Sequence, residues 1–321
     1  MSFFDDKEVV VTGASGLVGS YVVKQLKEQT KARVRAIIHE RGVNEFTRMA
    51  DTIFPKIDLN IPSHVNKAID GADVVIHCAG VTGGLGFAAD NPIGLVTPNV
   101  IMSVNMFNSC INKKVDRLAI ISSSTVYPPY SHPAAEDDPL SEEVHPAYFG
   151  IAWAKRYLEK LAVLCYDKIH LNTAIIRLSA VYGRYDDIDQ RSAHVIPSMI
   201  LKAMKLKTGE PFMIWGDGKD IRDIVHSSDV ANGILLATEK LANASPVNIA
   251  SGTEISTLQI ANTILSNLGM NPTIVFDPSK PTAVKERRVS IVKAKQLLGY
   301  TPKVPFNEGI EDMINWMVES R

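Results

Sequence analysis

Apolar and polar positions follow two alternating periods through the first half of the chain. Short β-branched runs at 8–11, 34–38, 53–59, 73–77, 118–122, 172–177 and 247–250 read as strands. Each is apolar along nearly its whole length, which suits a parallel sheet covered on both faces. Between them lie amphipathic stretches whose spacing predicts helices over 17–29, 99–112 and 149–166. Strands separated by helix-length segments mean βαβ units, so the expected fold is α/β with a doubly wound parallel sheet. After Gly183 the pattern changes to short helical pieces, turns such as Trp215-Gly216-Asp217-Gly218 and a Pro-dotted tail. This half is expected to form a smaller C-terminal α/β lobe that receives the substrate. The expected division gives 1–180 and 227–252 to the sheet domain, and 181–226 and 253–321 to the lobe.

The first strand runs into Gly13-Ala14-Ser15-Gly16-Leu17-Val18-Gly19, a GxxGxxG loop that opens a helix. Gly13 permits the tight turn, Gly16 lets backbone approach a pyrophosphate, and Gly19 lets the helix pack close to the strand. Free N–H groups over Ser15, Leu17 and Val18 then face the anion. Because the loop follows a strand and starts a βαβ series, it reads as a Rossmann dinucleotide site. The second strand ends at His39-Glu40-Arg41, where a ribose partner belongs. Glu40 suits the 2′-hydroxyl of NAD, while His39 or Arg41 suits the 2′-phosphate of NADP, so both coenzymes stay open. Asp58 and Leu59 are expected beside the adenine. Ala79 and Gly80, just past the fourth strand, let a coenzyme lie against the backbone.

Composition narrows the function by exclusion. The 321 residues carry 34 basic and 35 acidic side chains, a formal net charge of −1, so no basic field points to nucleic acid. Cys78, Cys110 and Cys165 lie far apart with no CxxC pair, which argues against a disulfide scaffold and against a metal site. No apolar run reaches the roughly 18–20 residues that span a bilayer. The first residues, Met-Ser-Phe-Phe-Asp-Asp-Lys, are too charged for a signal peptide. The expectation is a cytoplasmic protein.

The GxxGxxG spacing, Asp58, His77-Cys78-Ala79-Gly80, Asn99 and Ser122-Ser123-Ser124-Thr125-Val126-Tyr127 fall in the order found in one family. On them the chain resembles the extended short-chain dehydrogenases, the nucleotide-sugar epimerase/dehydratase family. Gly83-Gly84, Val126-Tyr127-Pro128, Ser192-Ala193-His194-Val195-Ile196-Pro197, Trp215-Gly216-Asp217-Gly218 and Arg222-Asp223-Ile224-Val225-His226 make it most similar to the GDP-L-fucose synthase branch. The resemblance spans nearly the whole chain. It implies hydride transfer at C4 of a GDP-linked hexose or heptose, with NAD or NADP as coenzyme. It also implies a homodimer built on the helices 99–112 and 149–166.

The family uses a Ser or Thr, a Tyr and a Lys, the last two four residues apart on one helix so that both face the coenzyme. Ser123 matches the Ser and Lys155 the Lys. Four residues before Lys155 stands Ile151, so there is no YxxxK motif. An apolar Ile cannot trade the proton, a contribution typically worth about 10²–10⁴ in rate. Tyr148, Thr125, a water or the sugar itself must relay it. Tyr148 lies seven residues from Lys155, roughly 10 Å of helical rise. The cysteine implied for inverting carbons beside the ketone is here Thr125, a far weaker acid. That disfavours epimerisation and favours simple oxidation or reduction, with His194 left to bind substrate. The resemblance places Arg222 against the diphosphate; Arg287 or Arg288 is a second candidate cation and Lys202 a third, with Trp215 for the nucleotide pocket and Ser124 for the sugar. The alternatives are an epimerase or 4,6-dehydratase, and a non-catalytic binding protein that has lost its Tyr.

Overall fold

The computed structural model describes residues 2–84, 87, 90–189, 192–280 and 284–320. Seven parallel strands form the main sheet: β1 (Glu8–Thr12), β2 (Arg33–Ile37), β3 (Thr52–Phe54), β4 (Val74–His77), β5 (Arg117–Ser123), β6 (Thr173–Leu178) and β7 (Asn243–Ile249). Their order across the sheet is β7-β6-β5-β4-β1-β2-β3. The order reverses direction at β1 and β4, which is where an open α/β sheet leaves a crevice at its carboxyl edge.

Period-2 alternation sends successive side chains to opposite faces. Val9 and Val11 of β1, with Val74, Ile76, Ile176 and Ile249, pack under α1 (Gly19–Gln29). Val10, Val75, Leu118, Ile120 and Ile175 pack under α2 (Pro62–Ala68), α3 (Pro92–Lys113) and α4 (Phe149–Ile169). α6 (Ser227–Lys240) joins the first layer beside α1. α5 (Val195–Lys205), α7 (Thr257–Asn267) and α8 (Phe306–Glu319) pack around Tyr182, Phe212, Ile214 and Ile224 in a separate apolar cluster. The tail also feeds the first layer, where Ala294, Leu298 and Tyr300 are fully buried.

Several element boundaries depart from the pattern-based expectation: β7 starts at Asn243 instead of 247, α4 runs on to Ile169, and three others have plain causes. The third strand stops at Phe54 rather than reaching Leu59, because Pro55 lacks a ladder N–H and Lys56 takes a positive φ of 57°. α3 begins at Pro92, seven residues before the expected start, and runs through Pro98. A proline forgoes one backbone hydrogen bond but need not end a helix that packs well on both sides of it. α1 begins at Gly19 rather than Leu17, so residues 13–18 remain a turn.

Candidate active site

The glycine loop is shaped by close approach. Gly13 has φ +64°, and a Cβ there would lie 2.8 Å from the Ala79 backbone. A Cβ on Gly19 would sit 2.3 Å from the Gly13 carbonyl oxygen. Both positions therefore require glycine. Gly16 donates its N–H to the Gly13 carbonyl at 2.9 Å and closes the turn. Neither a capping side chain nor an acidic residue stands in the first turn of α1. The Ser20 and Val22 N–H groups donate to the Gly16 and Val18 carbonyls, and the uncapped positive end of the helix dipole favours an anion. Ser15 is buried in the loop, and its carbonyl is held by Asn44.

Thr12 and His77 tie the ends of β1 and β4 together. Thr12 Oγ1 and His77 Nδ1 are 2.8 Å apart, and the Ala79 N–H donates to Thr12 Oγ1. Burial, with the nearby Lys155 charge, pushes the His77 pKa down to about 3, so the ring is neutral. The stretch after it is clamped by Asn99 of α3, which accepts from the Val81 N–H and donates to the Val81 carbonyl. Gly80 leaves room for that clamp, since a Cβ there would meet Asn99 Oδ1 at 3.1 Å. Asp58 accepts from the Asn60 backbone and side chain, bonds that hold its carboxyl below the usual range. Leu59 is buried beside it, and its carbonyl accepts from Asn105 of α3. His39 and Arg41 are exposed past the end of β2, and Arg41 donates to the Tyr185 carbonyl at 2.9 Å.

Lys155 turns inward. Its ammonium donates to the Ile121 carbonyl of β5 at 2.7 Å. It shares a cavity with His77, Ala79, Ser103 and Ser122. Burial pushes its pKa down to about 8, with the Glu159 carboxylate opposing. Glu159 lies one helical turn further on, and with it begins a buried polar network that the sequence reading did not anticipate. Ser122 donates to Glu159, Arg177 grips Glu159 with two bonds of 2.9 and 2.6 Å, and also donates to the Tyr127 hydroxyl. Tyr127 donates to Asn248. The network locks α4, β5, β6 and β7 together at the edge where Lys155 emerges. Losing one partner of such a buried pair costs about 3–5 kcal/mol. Its signal in the sequence was a charged residue in the otherwise apolar run of β6.

Ser123 ends β5, and its Oγ accepts the Thr125 N–H at 3.1 Å. Thr125 Oγ1 is buried with no hydrogen-bond partner among the described residues. Ser124 is buried and lines a second pocket with Tyr127, His145 and Arg287. Tyr148 stands at the start of α4, and the Arg287 guanidinium lies 4.2 Å over its ring. Arg287 is the register partner of Arg222 on parallel neighbouring strands (Glu286–Arg287 and Ile221–Arg222), so the two cations leave the same face. Asp223, next to Arg222, is a buried organiser that accepts from Ser179, Ser251 and the Gly252 N–H.

The remaining expected residues lie elsewhere around the lobe. His194 precedes α5 without capping it, and its Nδ1 lies 3.2 Å from Asp186. Burial works against its charged form, but the bond to Asp186 and the charges of Asp186 and Asp187 raise its pKa. Lys202 donates to the Met213 carbonyl and lies against Phe212, so its ammonium is engaged within the lobe. Trp215 is half exposed at the end of the strand Phe212–Trp215. His145 was not anticipated from the sequence. Among the described residues, no group of three or more His, Cys, Asp or Glu is placed to hold a metal. No helix among them is long and apolar enough to cross a membrane.

A glycine cradle that excludes Cβ atoms, an uncapped helix start and an inward lysine at the same sheet edge fit a dinucleotide. Comparison with known proteins agrees: the NAD dependent epimerase/dehydratase family matches residues 9–250. The chain belongs to that family. It is an enzyme of the extended short-chain dehydrogenase type, and its coenzyme is a nicotinamide dinucleotide, NAD or NADP. It is 28% identical over 318 residues to dTDP-4-dehydro-6-deoxy-D-allose reductase of Streptomyces bikiniensis, covering 97% of this chain and 96% of that protein. It is 27% identical over 315 residues to GDP-L-fucose synthase of Sinorhizobium fredii, covering 97% and 95%. Among solved structures, a GDP-L-fucose synthetase from Naegleria fowleri superposes with a TM-score of 0.84 at 22% identity, covering 99% of this chain and 95% of that one. The last likeness concerns the fold.

Proposed function

We propose that this protein is a nucleotide-sugar oxidoreductase acting at C4 of a GDP-linked hexose or heptose. The observation that carries the reading is the inward Lys155 ammonium, held on the Ile121 carbonyl beside the hydroxyls that end β5. When bound, the nicotinamide exchanges a hydride with the sugar. Gly13, Ser15, Gly16, Leu17 and Val18 hold the pyrophosphate, and Lys155 orients the nicotinamide ribose. Asp58, Leu59, Ala79 and Gly80 line the adenosine side, with His39 and Arg41 at the ribose 2′ position.

Ser123 accepts a backbone N–H, which leaves its own hydroxyl proton to donate to the C4 oxygen. Thr125 carries a buried hydroxyl with no partner among the described residues, and this group relays the proton that Ile151 cannot. A threonine is too weak an acid to invert carbons beside a ketone, which favours plain reduction or oxidation over epimerisation. Tyr148, engaged by Arg287, serves the substrate side instead of the Lys155 side. Arg222 and Arg287 meet the diphosphate, Trp215 the base, and Ser124 and His194 the sugar. Lys202 holds the lobe strand on which Trp215 stands. In this scheme residues 1–180 and 227–252 bind coenzyme, while 181–226 and 253–321 bind the nucleotide sugar. A second copy of the chain covers Phe149, Trp153, Tyr157 and Leu164, which are exposed along α4.

The test is to mix the protein with reduced NAD or NADP and with 4-keto sugars linked to GDP, UDP or dTDP. The expected outcome is coenzyme oxidation, fastest with a GDP-sugar, giving a product with C3 and C5 unchanged. An isomerised sugar without net coenzyme change would make the protein an epimerase. No change with any sugar in either redox direction would make it a binding protein.

A further inference from the structure

His145 caps the short turn Pro146–Tyr148, and the Ala147 N–H donates to its Nδ1 at 3.2 Å. A backbone N–H can only donate, so Nδ1 must accept, and the proton of the neutral ring sits on Nε2. No described residue accepts from that Nε2. The half-buried ring lines the pocket beside Ser124 together with Arg287, and lies 6.1 Å from the Tyr148 ring that Arg287 covers. Arg222 joins Arg287 from the neighbouring strand.

The other charged groups around this pocket are already matched. Arg288 pairs with Glu286 at 2.7 Å and with Glu254, and His132 pairs with Asp138 at 3.0 Å. Tyr130 stacks on His132 and donates to the Pro139 carbonyl. Arg222 is 3.5 Å from Asp220 and donates to the Ile221 and Lys285 carbonyls, while Arg287 pairs with Tyr148 and with no carboxylate among the described residues. The pocket thus presents the Arg287 guanidinium and one neutral donor with no partner among the described residues, and the Arg222 charge acts on the same ring from the neighbouring strand.

We propose that His145 is a third contact for the substrate diphosphate, donating from Nε2 beside Arg287 and Arg222 and taking up a proton when that dianion binds. The inference rests on the nucleotide-sugar reading and deepens it. In the free protein, burial first and then the Arg287 and Arg222 charges keep the ring neutral. A dianion placed among these groups reverses the local field and favours the imidazolium. Affinity therefore rises as pH falls through the bound-state pKa, and levels off below the lower pKa of the free protein.

Calorimetric titration of the full-length protein with GDP-mannose tests this. Its diphosphate is esterified at both ends, so the ligand itself does not titrate between about pH 5.5 and 8.5, the range in which histidine does. Binding of the unaltered protein is expected to tighten as pH falls, with heats that depend on the buffer's ionisation enthalpy. His145→Gln keeps a donor but cannot titrate, so it should lose the pH and buffer dependence that His145 carries and retain affinity at the alkaline end. His145→Ala should bind about tenfold more weakly at the acidic end. Far-ultraviolet circular dichroism and coenzyme affinity serve as controls for folding. His145→Ala with unaltered affinity and pH profile would overturn the proposal while leaving the substrate class intact. If GDP-mannose, UDP-glucose and dTDP-glucose all fail to bind the unaltered protein, the nucleotide-sugar reading itself falls. If only a non-GDP sugar binds, the same variants are compared with that ligand, and the same outcomes decide.

Discussion

Thr125 is an unusual residue to leave unsatisfied, because a buried hydroxyl without a partner costs about 1–3 kcal/mol. A site that receives a substrate oxygen only during turnover explains the cost. Thr125→Val keeps the shape and removes the hydroxyl. Urea unfolding should show the variant at least as stable as the parent, by up to about 1 kcal/mol, while kcat falls about 10–100-fold. A variant equally active and less stable would give Thr125 a structural role only. Some of this was legible in the sequence and some was not. Ser123 and Lys155 were named from their match to the family's pattern, and the structure sets the first at the end of β5 and the second on α4. The replacement of the expected tyrosine by Ile151 was equally plain. His145 was not visible, since its meaning depends on Arg287, which the chain brings to the same pocket from far away in sequence. The partnership of Glu159 with Arg177 was hidden for the same reason.

The strand-to-helix turn at residues 13–19 is the element on which the coenzyme reading depends. Its glycines were legible because the motif sits between a strand and a helix, and the structure gives each end of it a steric cause. Gly19→Ala forces a methyl into the Gly13 carbonyl, so the loop must shift. The expected cost is about 1–3 kcal/mol in urea unfolding, with coenzyme affinity, followed by nicotinamide fluorescence, falling more than tenfold. Unchanged affinity would mean that the coenzyme lies elsewhere. Other elements were read less well. Pro98 hid the first two turns of α3, because local propensity gives no weight to the packing of Leu95, Asn99 and Met102 along one side of the helix. The third strand was overrun because an apolar Ile57 continues the pattern past Pro55, yet that residue packs from a loop.

At the scale of the molecule, the lobe is tied back to the sheet by polar and apolar bonds. Asp229 of α6 accepts from the Lys303 and Val304 N–H groups, and Tyr300 buries its ring and donates to the Ala250 carbonyl, while Arg184 chelates Asp312 of α8 within the C-terminal half. Such ties between distant segments leave no local signature, so the tail's contribution to the first core layer could not be read from the sequence. On the opposite face, Phe149, Trp153, Tyr157 and Leu164 stay exposed along α4, which packs beside α3. An apolar stripe of this kind marks an interaction surface. Sedimentation should show a dimer for the parent chain and a monomer for Tyr157→Lys, with the far-ultraviolet spectrum unchanged. A monomeric parent would remove the second copy from the account. The central claim, that the sugar is oxidised or reduced at C4, is tested most directly by tracing the hydrogen. Reduced coenzyme carrying deuterium at the transferred position is incubated with a GDP-linked 4-keto sugar, and the product is read by nuclear magnetic resonance. The account predicts deuterium at sugar C4 with the parent protein and none with Lys155→Met; deuterium at another carbon, or none from either coenzyme, would contradict it.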